Sequence, residues 1–280
     1  MPVFKAAAVQ MRSGTSVQAN LDDAERLIRE AAAAGADYVL TPEMTNILCR
    51  DRATLLAAVS PEENSPELAR FSALARDLGI FLHVGSMAVA LGPESVANRA
   101  YLIAPDGSVA ARYDKIHMFD VNLAGGESYR ESALYRPGAE AVVADLPFAR
   151  LGLSVCYDVR FPQLFQALAT SGASVLAIPA AFTRTTGEAH WHVLLRARAI
   201  ETGAFVVSAA QGGHHEDGRD TYGHSMIVDP WGRILAEAGT EPGVIVAAID
   251  PAESADARAR IPALANRRDF AAPAAHPSVA

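Results

Sequence analysis

The chain has 280 residues, of which 50% are hydrophobic, and it carries 24 Lys and Arg against 32 Asp and Glu, a formal net charge of −8. This apolar fraction excludes an intrinsically disordered chain and is sufficient for one large core. The acidic balance excludes a nucleic-acid backbone as the main partner, because counterion release requires clustered Lys and Arg, and the sequence has no such cluster. We therefore expect one domain over residues 1–270 and no nucleic-acid partner.

The sequence also bears on location and redox state. No apolar run approaches the ~18 residues that span a bilayer, and the first ten residues lack the pattern of a signal peptide. We expect no membrane partner and a cytoplasmic protein. The two cysteines, Cys49 and Cys156, are far apart in a chain with an ample core, so they do not form the disulfide framework of a small secreted protein. Each is a candidate free thiol.

Short apolar runs alternate with helical patterns in the first half, which is typical of layered α/β proteins. Strands are predicted at 4–9, 38–40 and 80–85. Asn20 is the predicted N-cap of the first helix, and Gly35 lies just beyond its end. The next helix is predicted to begin at Ser65 and Pro66 and to end at Gly79.

The second half repeats this alternation. The predicted elements are a strand at 151–155, a helix at 162–171, a strand at 174–178, a helix at 188–202 and a strand at 205–210. Segments 101–112 and 226–237 each contain a Pro/Gly turn between apolar runs, which predicts one hairpin in each half. A (β/α)8 barrel has no such hairpins, so we predict an α/β fold of two sheets with helices outside each, a four-layer αββα sandwich. The Ala/Pro-rich residues 271–280 are predicted to be a disordered tail.

Two polar residues follow predicted strands, where α/β sheets commonly place their sites. Glu43 comes after Pro42, which forces an extended approach to the carboxylate. Lys115 closes the return strand of the first hairpin. Considered alone, Glu43 is more typical of a surface loop, and Lys115 of a solvated residue at a sheet edge.

Cys156 has a more distinctive position. A predicted strand ends at this cysteine and a predicted helix begins at Pro162, which places the thiol on a strand-to-helix turn like the nucleophile elbow of serine hydrolases. Such a turn could aim the Tyr157 backbone N–H at a developing oxyanion. A buried cysteine that acts as a small hydrophobic residue is an equal alternative at this point. Cys49 has no comparable geometry.

The sequence contains no signal for a cofactor or a metal ion. No phosphate-binding glycine loop is present. The histidines include no His-x3-His pair on a helix, and there is no Cys-x2-Cys. The pair His214-His215 lies in a Gly-rich polar loop, and the run 190–192, His-Trp-His, is predicted to straddle a helix start. We expect neither a cofactor nor a metal ligand set.

Glu43, Lys115 and Cys156, in that order, resemble the nitrilase superfamily of carbon–nitrogen hydrolases, whose Glu-Lys-Cys triad lies in an αββα sandwich. The similarity covers nearly the whole chain and is greatest to the branch of ω-amidases and deaminated-glutathione amidases. The runs that carry it include Lys115-Ile-His-Met-Phe-Asp, Cys156-Tyr-Asp-Val-Arg-Phe-Pro, Leu195-Arg-Ala-Arg-Ala-Ile-Glu, Tyr222-Gly-His-Ser-Met and Val228-Asp-Pro-Trp-Gly. The departures are Ala124, where proline is common, and Thr183-Arg184.

The resemblance implies an amidase without a cofactor that acts through a cysteine thioester. Glu43 would be the base, and Lys115 with the Tyr157 N–H would stabilise the oxyanion. Glu131 corresponds to the accessory second glutamate of the family. The resemblance also implies a homo-oligomer formed through the helices between Cys156 and Gly203, with the segment 260–270 crossing to a partner.

The implied substrate is a small ω-amide similar to deaminated glutathione or α-ketoglutaramate, cleaved to a carboxylate and ammonia or an amine. Because a carboxylate at the far end of such a molecule requires a bidentate partner, we predict Arg184 as its anchor, with a solvated loop arginine as the alternative. Phe182 and His190 are further candidates for substrate binding. An N-carbamoyl-amine amidohydrolase or a nitrilase would use the same triad, and a non-catalytic small-molecule sensor would use the same pocket.

Overall fold

Two β-sheets packed face to face form the centre of the molecule, and helices cover their outer faces. The structure is a computed structural model that describes residues 1–123 and 127–272. Ala124 and residues 273–280 of the predicted tail lie outside the described residues. The strands are β1 (Phe4–Gln10), β2 (Tyr38–Leu40), β3 (Phe81–Gly92), β4 (Ser95–Ile103), β5 (Val109–Asp114), β6 (Asp120–Asn122), β7 (Ser128–Arg130), β8 (Tyr135–Arg136), β9 (Val143–Asp145), β10 (Arg150–Leu153), β11 (Val175–Ala177), β12 (Phe205–Ser208), β13 (Gly212–His214), β14 (Asp220–Tyr222), β15 (Met226–Val228), β16 (Ile234–Glu237) and β17 (Gly243–Ile249). The helices are α1 (Val17–Ala33), α2 (Arg52–Ala58), α3 (Pro66–Leu78), α4 (Pro162–Thr170), α5 (Arg184–Thr202) and α6 (Pro251–Arg260).

The sheet topology confirms the predicted sandwich. The first sheet has the order β17-β1-β2-β3-β4-β5, with β8 paired to β4, and the second has the order β16-β15-β12-β11-β10-β9. β1, β2 and β3 are parallel to one another, as are β10, β11 and β12. The two predicted hairpins are present as β4–β5 and β15–β16. Parallel neighbours place the ends of β2 and β10 at equivalent edges of their sheets, which is where the candidate residues follow.

The two faces of β1 show how the layers are assembled. Ala6 and Ala8 belong to the core between the sheets, whereas Ala7 and Val9 belong to a second core shared with α1 and α3. This alternation follows from the two-residue period of a strand. All four side chains are fully buried, because β1 lies in the interior of its sheet and both of its faces are covered.

Two helix starts differ from the sequence prediction, whereas the caps of α3 are confirmed. Ser65 caps α3 through its hydroxyl, and Gly79 ends it with a left-handed φ of 65°. α1 begins earlier than predicted, with Ser16 as N-cap, because the Asn20 amide instead bonds the backbone of Gly14 and Asn46.

The last long helix of the second half, α5, also begins earlier than predicted. It starts at Arg184 rather than at residue 188, so the run 190–192 lies inside the helix. A Cβ at Gly187 would collide with the Tyr222 ring, so glycine at this position allows close packing of the helix on β14. Among the described helices, none combines the length and the apolar character that crossing a bilayer requires.

Candidate active site

The structure brings Glu43, Lys115 and Cys156 together in the wall of one cavity. The cavity has a volume of about 410 Å³, and all three residues line it. Each residue lies within three residues of the end of a strand, Glu43 after β2, Lys115 after β5 and Cys156 after β10. All three are buried. Strand ends from both sheets therefore meet at this cavity.

Both carboxylate oxygens of Glu43 accept hydrogen bonds. Oε1 lies 2.8 Å from Lys115 Nζ, and Oε2 lies 2.7 Å from the Ala181 backbone nitrogen. Burial by itself raises the pKa of Glu43, but the charge of Lys115 and hydrogen bonds from Cys156 and Lys115 outweigh it, so the pKa lies below its usual value. Glu43 is therefore an ionised carboxylate that can accept a proton from the adjacent thiol.

The loop that carries Glu43 depends on a glycine in β3. A Cβ at Gly85 would collide with the backbone oxygen of Thr41 and with the side chain of Pro179. Gly85 thus allows the loop after β2 to lie against the loop after β11, which supplies the Ala181 N–H. The approach of the two loops fixes the position of the Glu43 carboxylate.

Lys115 is held between two glutamates. Its Nζ donates to Glu43 at 2.8 Å and to both oxygens of Glu131 at 3.0 and 2.9 Å. Burial by itself lowers the pKa of Lys115, but the charges of Glu131 and Glu43 outweigh it, so the pKa lies well above its usual value. Glu131 also accepts from the Phe119 backbone N–H at 2.7 Å. The ammonium is therefore a fixed positive charge at the cavity wall.

Asn98, in the middle of β4, completes this cluster and was not predicted. Its Nδ2 donates to Glu43 Oε1 at 2.9 Å and to Glu131 Oε1 at 3.1 Å. Two carboxylate acceptors define which end of the amide is the nitrogen. The Asn98 Oδ1 is buried and has no partner among the described residues. The only sign of Asn98 in the sequence was a polar residue within a mostly apolar strand, and such a residue alone does not identify a site.

Cys156 lies on the predicted strand-to-helix turn in a strained backbone conformation. It begins a short 3-10 helix, Cys156–Arg160, and has a φ of 50°, which is uncommon for residues other than glycine. Its N–H donates to the Pro179 oxygen at 2.8 Å. Burial, together with the nearby Glu43 charge, raises the pKa of the thiol well above its usual value. The thiol is therefore protonated at rest and requires a base to become a nucleophile.

The Tyr157 backbone N–H is available to a ligand. Within residues 1–123 and 127–272, no acceptor receives a hydrogen bond from this amide. The first N–H groups of a helix lack partners inside the helix, so this geometry is expected directly after Cys156. The Tyr157 ring also lines the cavity.

Asp158 connects the cysteine turn to the segment that carries Lys115. It is fully buried and accepts from the Val155 N–H at 2.8 Å and the Tyr113 hydroxyl at 2.7 Å. It also accepts from the His117 backbone N–H at 3.0 Å and lies 2.7 Å from the His117 ring nitrogen Nδ1. The His117 ring stacks on Phe161 at a centroid distance of 3.5 Å. Sequence reasoning missed Asp158, because two of its partners, Tyr113 and His117, lie 45 and 41 residues away in the chain.

Of the three residues predicted to bind substrate, one lines the cavity and two do not. Phe182 lines the cavity, but Arg184 and His190 are absent from its lining. Arg184 is the first residue of α5, its side chain is 66% exposed, and it pairs with Glu188 at 3.1 Å. His190 lies 3.3 Å from the Arg160 guanidinium. Arg184 and His190 thus lie outside the cavity lining in this structure, and their roles in substrate binding stay predictions.

Other arginines line the cavity instead, namely Arg50, Arg52, Arg130 and Arg219. Arg219 comes from the turn between β13 and β14, and its Nε lies 2.7 Å from Asp217. The Arg50 guanidinium lies over the Tyr129 ring, 5.7 Å from its centroid. The cavity therefore combines a cysteine, an ionised base and a fixed ammonium with guanidinium groups able to pair with an anionic ligand.

Comparisons with known proteins agree with this architecture. The family model described as carbon-nitrogen hydrolase matches residues 5–259. The deaminated glutathione amidase of Synechocystis is 42% identical over 95% of this chain and 99% of its own length. The mouse omega-amidase NIT2 is 35% identical over 96% of each chain. A mutant of the amidase from Nesterenkonia sp. AN1, solved with an acetamide moiety added covalently at its active-site cysteine, is 30% identical, covers 95% of this chain and 94% of that chain, and has a TM-score of 0.81.

Proposed function

Because this chain belongs to the carbon–nitrogen hydrolase family, we propose that it hydrolyses a small ω-amide to a carboxylate and ammonia or an amine through a thioester on Cys156. One observation carries the proposal. The protonated Cys156 thiol lies beside the ionised Glu43 carboxylate, and Lys115 Nζ is bonded to that same carboxylate at 2.8 Å. A nucleophile, a base and a cation that can stabilise an oxyanion are thus adjacent in one cavity.

The first half-reaction uses Glu43 as base and then as acid. Glu43 accepts the thiol proton while Cys156 Sγ forms a bond to the amide carbonyl carbon. The carbonyl oxygen becomes negatively charged and accepts from Lys115 and from the Tyr157 N–H. When the C–N bond breaks, protonated Glu43 donates its proton to the departing nitrogen, which leaves the acyl group on sulfur.

The second half-reaction reverses these roles with water. Glu43 removes a proton from water as the water oxygen attacks the thioester carbon. The same two donors stabilise the second oxyanion. As the C–S bond breaks, Glu43 returns its proton to Cys156 Sγ, and the released acid loses its own proton to solvent and becomes the carboxylate. Glu131 remains bonded to Lys115 Nζ through both of its oxygens while Glu43 carries the extra proton. We assign Glu131 and Asn98 to the positioning of Lys115 and Glu43.

The size and the lining of the cavity favour a substrate that carries a carboxylate at the end remote from its amide. Its volume of about 410 Å³ is within the range of small-ligand sites. Arg219 and Arg50 can pair with that carboxylate in place of the predicted Arg184. The names of the relatives, a deaminated glutathione amidase and an omega-amidase, support an ω-amide similar to deaminated glutathione. A molecule similar to α-ketoglutaramate is the second ω-amide that we propose. N-carbamoyl amines and nitriles are the alternative substrates, and a sensor without turnover is the alternative function.

An activity panel with intact-protein mass spectrometry tests this proposal. We expect ammonia or amine release to be fastest with keto-acid amides, slower with plain aliphatic amides and negligible with nitriles. Rapid quenching is expected to reveal a Cys156 adduct with the mass of the acyl group. Nitrile or N-carbamoyl-amine turnover equal to amide turnover would overturn the amidase assignment. Amide binding without turnover or an adduct would indicate a sensor.

We also propose that copies of this chain form a homo-oligomer through α5 and the β15–β16 hairpin. Large apolar side chains are exposed on both elements, among them Val193 and Ile200 on α5 and Trp231, Ile234 and Leu235 on the hairpin. An apolar patch of this kind is typical of an interface between subunits. Light scattering coupled to size-exclusion chromatography is expected to give a multiple of the 29.5 kDa chain mass. A monomer at all concentrations would contradict this proposal.

A further inference from the structure

A second polar cluster lies outside the cavity, where α5 packs on the β15–β16 hairpin. It consists of His192 on α5, His224 just before β15, and Glu237 at the end of β16. Glu237 Oε1 lies 2.8 Å from His192 Nε2 and 2.9 Å from His224 Nδ1. One ligand atom from each residue lies within 4.8 Å of the other two. None of the three residues lines the cavity.

We propose that this cluster is a binding site for a divalent transition-metal ion such as Zn²⁺. The ligands are His192 Nε2, His224 Nδ1 and a Glu237 oxygen, and water completes a tetrahedral shell. Two imidazoles and one carboxylate suit borderline cations. Zinc bonds of about 2.0–2.1 Å place tetrahedral ligand atoms about 3.4 Å apart. Each imidazole nitrogen therefore needs to move only about 0.5 Å away from the Glu237 oxygen, and the two imidazole nitrogens, which lie within 4.8 Å of each other, adjust toward the same spacing as the ion replaces the hydrogen bonds to Glu237.

The position of His224 is determined by its surroundings. Its backbone has a φ of 54°. Its N–H donates to the Gly239 oxygen at 2.8 Å, and its oxygen accepts from Trp191 Nε1 at 2.8 Å. Its ring stacks on Tyr222 with the centroids 4.3 Å apart. A ligand held in this way loses little conformational entropy when a metal binds.

The other two ligands are aligned by regular secondary structure. Glu237 pairs with Met226 across the β15–β16 ladder, two residues from His224. His192 follows the fully buried Trp191 on α5, so packing of that residue sets its direction. A bound ion would join α5 to the hairpin. Because Thr183 and Thr186 at the start of α5 line the cavity, the ion would also stabilise one wall of the active site.

Metal titration of a thiol-free protein tests this proposal. The double variant Cys49→Ser with Cys156→Ala removes the competing thiolates. Any purification tag is cleaved off, and a chelator then removes bound metal before the titration. We expect one equivalent of Co²⁺ to bind with the visible absorption bands of a low-coordinate site. Zn²⁺ is expected to displace Co²⁺ and to raise the Tm. A protein that gives neither a Co²⁺ spectrum nor a Zn²⁺-dependent shift in Tm would overturn the proposal.

Three variants locate the site. His192→Ala and Glu237→Gln are each expected to weaken Co²⁺ affinity at least tenfold. The matched control is His214→Ala, which removes an exposed histidine 2.9 Å from Asp220 and should leave the affinity unchanged. Circular dichroism establishes that each variant is folded. If Glu237→Gln perturbs the fold, the test rests on His192→Ala, whose substitution lies on the helix surface. An unchanged Co²⁺ affinity in folded His192→Ala would refute the site.

Discussion

Lys115 Nζ lies 2.8 Å from Glu43 Oε1, and the other oxygen of that carboxylate lies 2.7 Å from the Ala181 nitrogen. Glu43 is thus held on one side by the cation and on the other by the loop whose Pro179 oxygen binds the Cys156 N–H. One short loop therefore positions both the base and the nucleophile. The distance between the carboxylate and the thiol is set by backbone contacts, which resist reorganisation during the reaction.

Cys156→Ala is expected to abolish turnover, because no other thiol occupies the strand-to-helix turn. Cys49→Ala is expected to leave kcat/KM within roughly threefold, since Cys49 lines the cavity without a base beside it. Ammonia release from a keto-acid amide measures both variants. An equal loss in the two variants would contradict the assignment of Cys156 as nucleophile.

Lys115→Met is expected to affect both activity and stability. Loss of an oxyanion donor should lower kcat by about 10²–10³. The change also leaves Glu43 and Glu131 without their cation, which should lower the free energy of unfolding by roughly 3–5 kcal/mol. Denaturant unfolding and steady-state kinetics measure the two effects.

The double variant Lys115→Met with Glu131→Gln separates these effects. Removing one carboxylate charge should restore part of the stability without restoring activity. If activity returned together with stability, Lys115 would have a structural role only.

Glu43→Gln is expected to suppress acylation, because glutamine cannot accept the thiol proton. Rapid-quench mass spectrometry should then detect no acyl adduct on Cys156. His117 and His190 are unfavourably placed to replace Glu43 as the base, since His117 is bonded to Asp158 and His190 lies outside the cavity. Normal acylation followed by slow hydrolysis would mean that Glu43 acts only in the second half-reaction.

The pH dependence follows from the direction of the Glu43 shift. Because Lys115 and the hydrogen bonds hold the pKa of Glu43 below its usual value of 4.5, the base is ionised throughout the neutral range. Its contribution to stability is complete above the unfolded-state pKa and is lost as the pH falls through the lower, folded-state pKa. The acid limb of kcat/KM is therefore expected below pH 4.5. An acid limb near neutrality, with the protein still folded by circular dichroism, would contradict this protonation state.

Arg219→Ala is expected to lower kcat/KM for amides that carry a carboxylate. The corresponding loss of transition-state stabilisation is roughly 1.5–3 kcal/mol, the value of a hydrogen bond to a charged group. Amides without a carboxylate should be unaffected. Arg184→Ala is the matched control, because Arg184 is exposed and outside the cavity. A uniform loss across both sets of amides would exclude Arg219 as the anchor, and a selective loss in Arg184→Ala would support the prediction made from the sequence.

The sequence by itself determined the α/β sandwich, both hairpins, the caps of α3 and the turn at Cys156. These features depend on local patterns, namely hydrophobic period, turn residues and cap chemistry, which can be recognised within about ten residues. The order of Glu43, Lys115 and Cys156 along the chain also identified the residues that the structure brings together. Local patterns were less successful at the start of α5, where the helix begins at Arg184 and Gly187 lies inside it, packed closely against Tyr222.

Only the tertiary structure identified Asn98, Asp158 and Arg219 and brought His192, His224 and Glu237 together. Asn98 lies 55 residues from Glu43, and Asp158 lies 45 residues from Tyr113. His192 and Glu237 are likewise 45 residues apart. No spacing rule connects such positions, because their distances depend on how the two sheets pack and on which loops meet at the strand ends. The exposure of Arg184 was decided in the same way, since α5 begins at this residue and pairs its side chain with Glu188 outside the cavity.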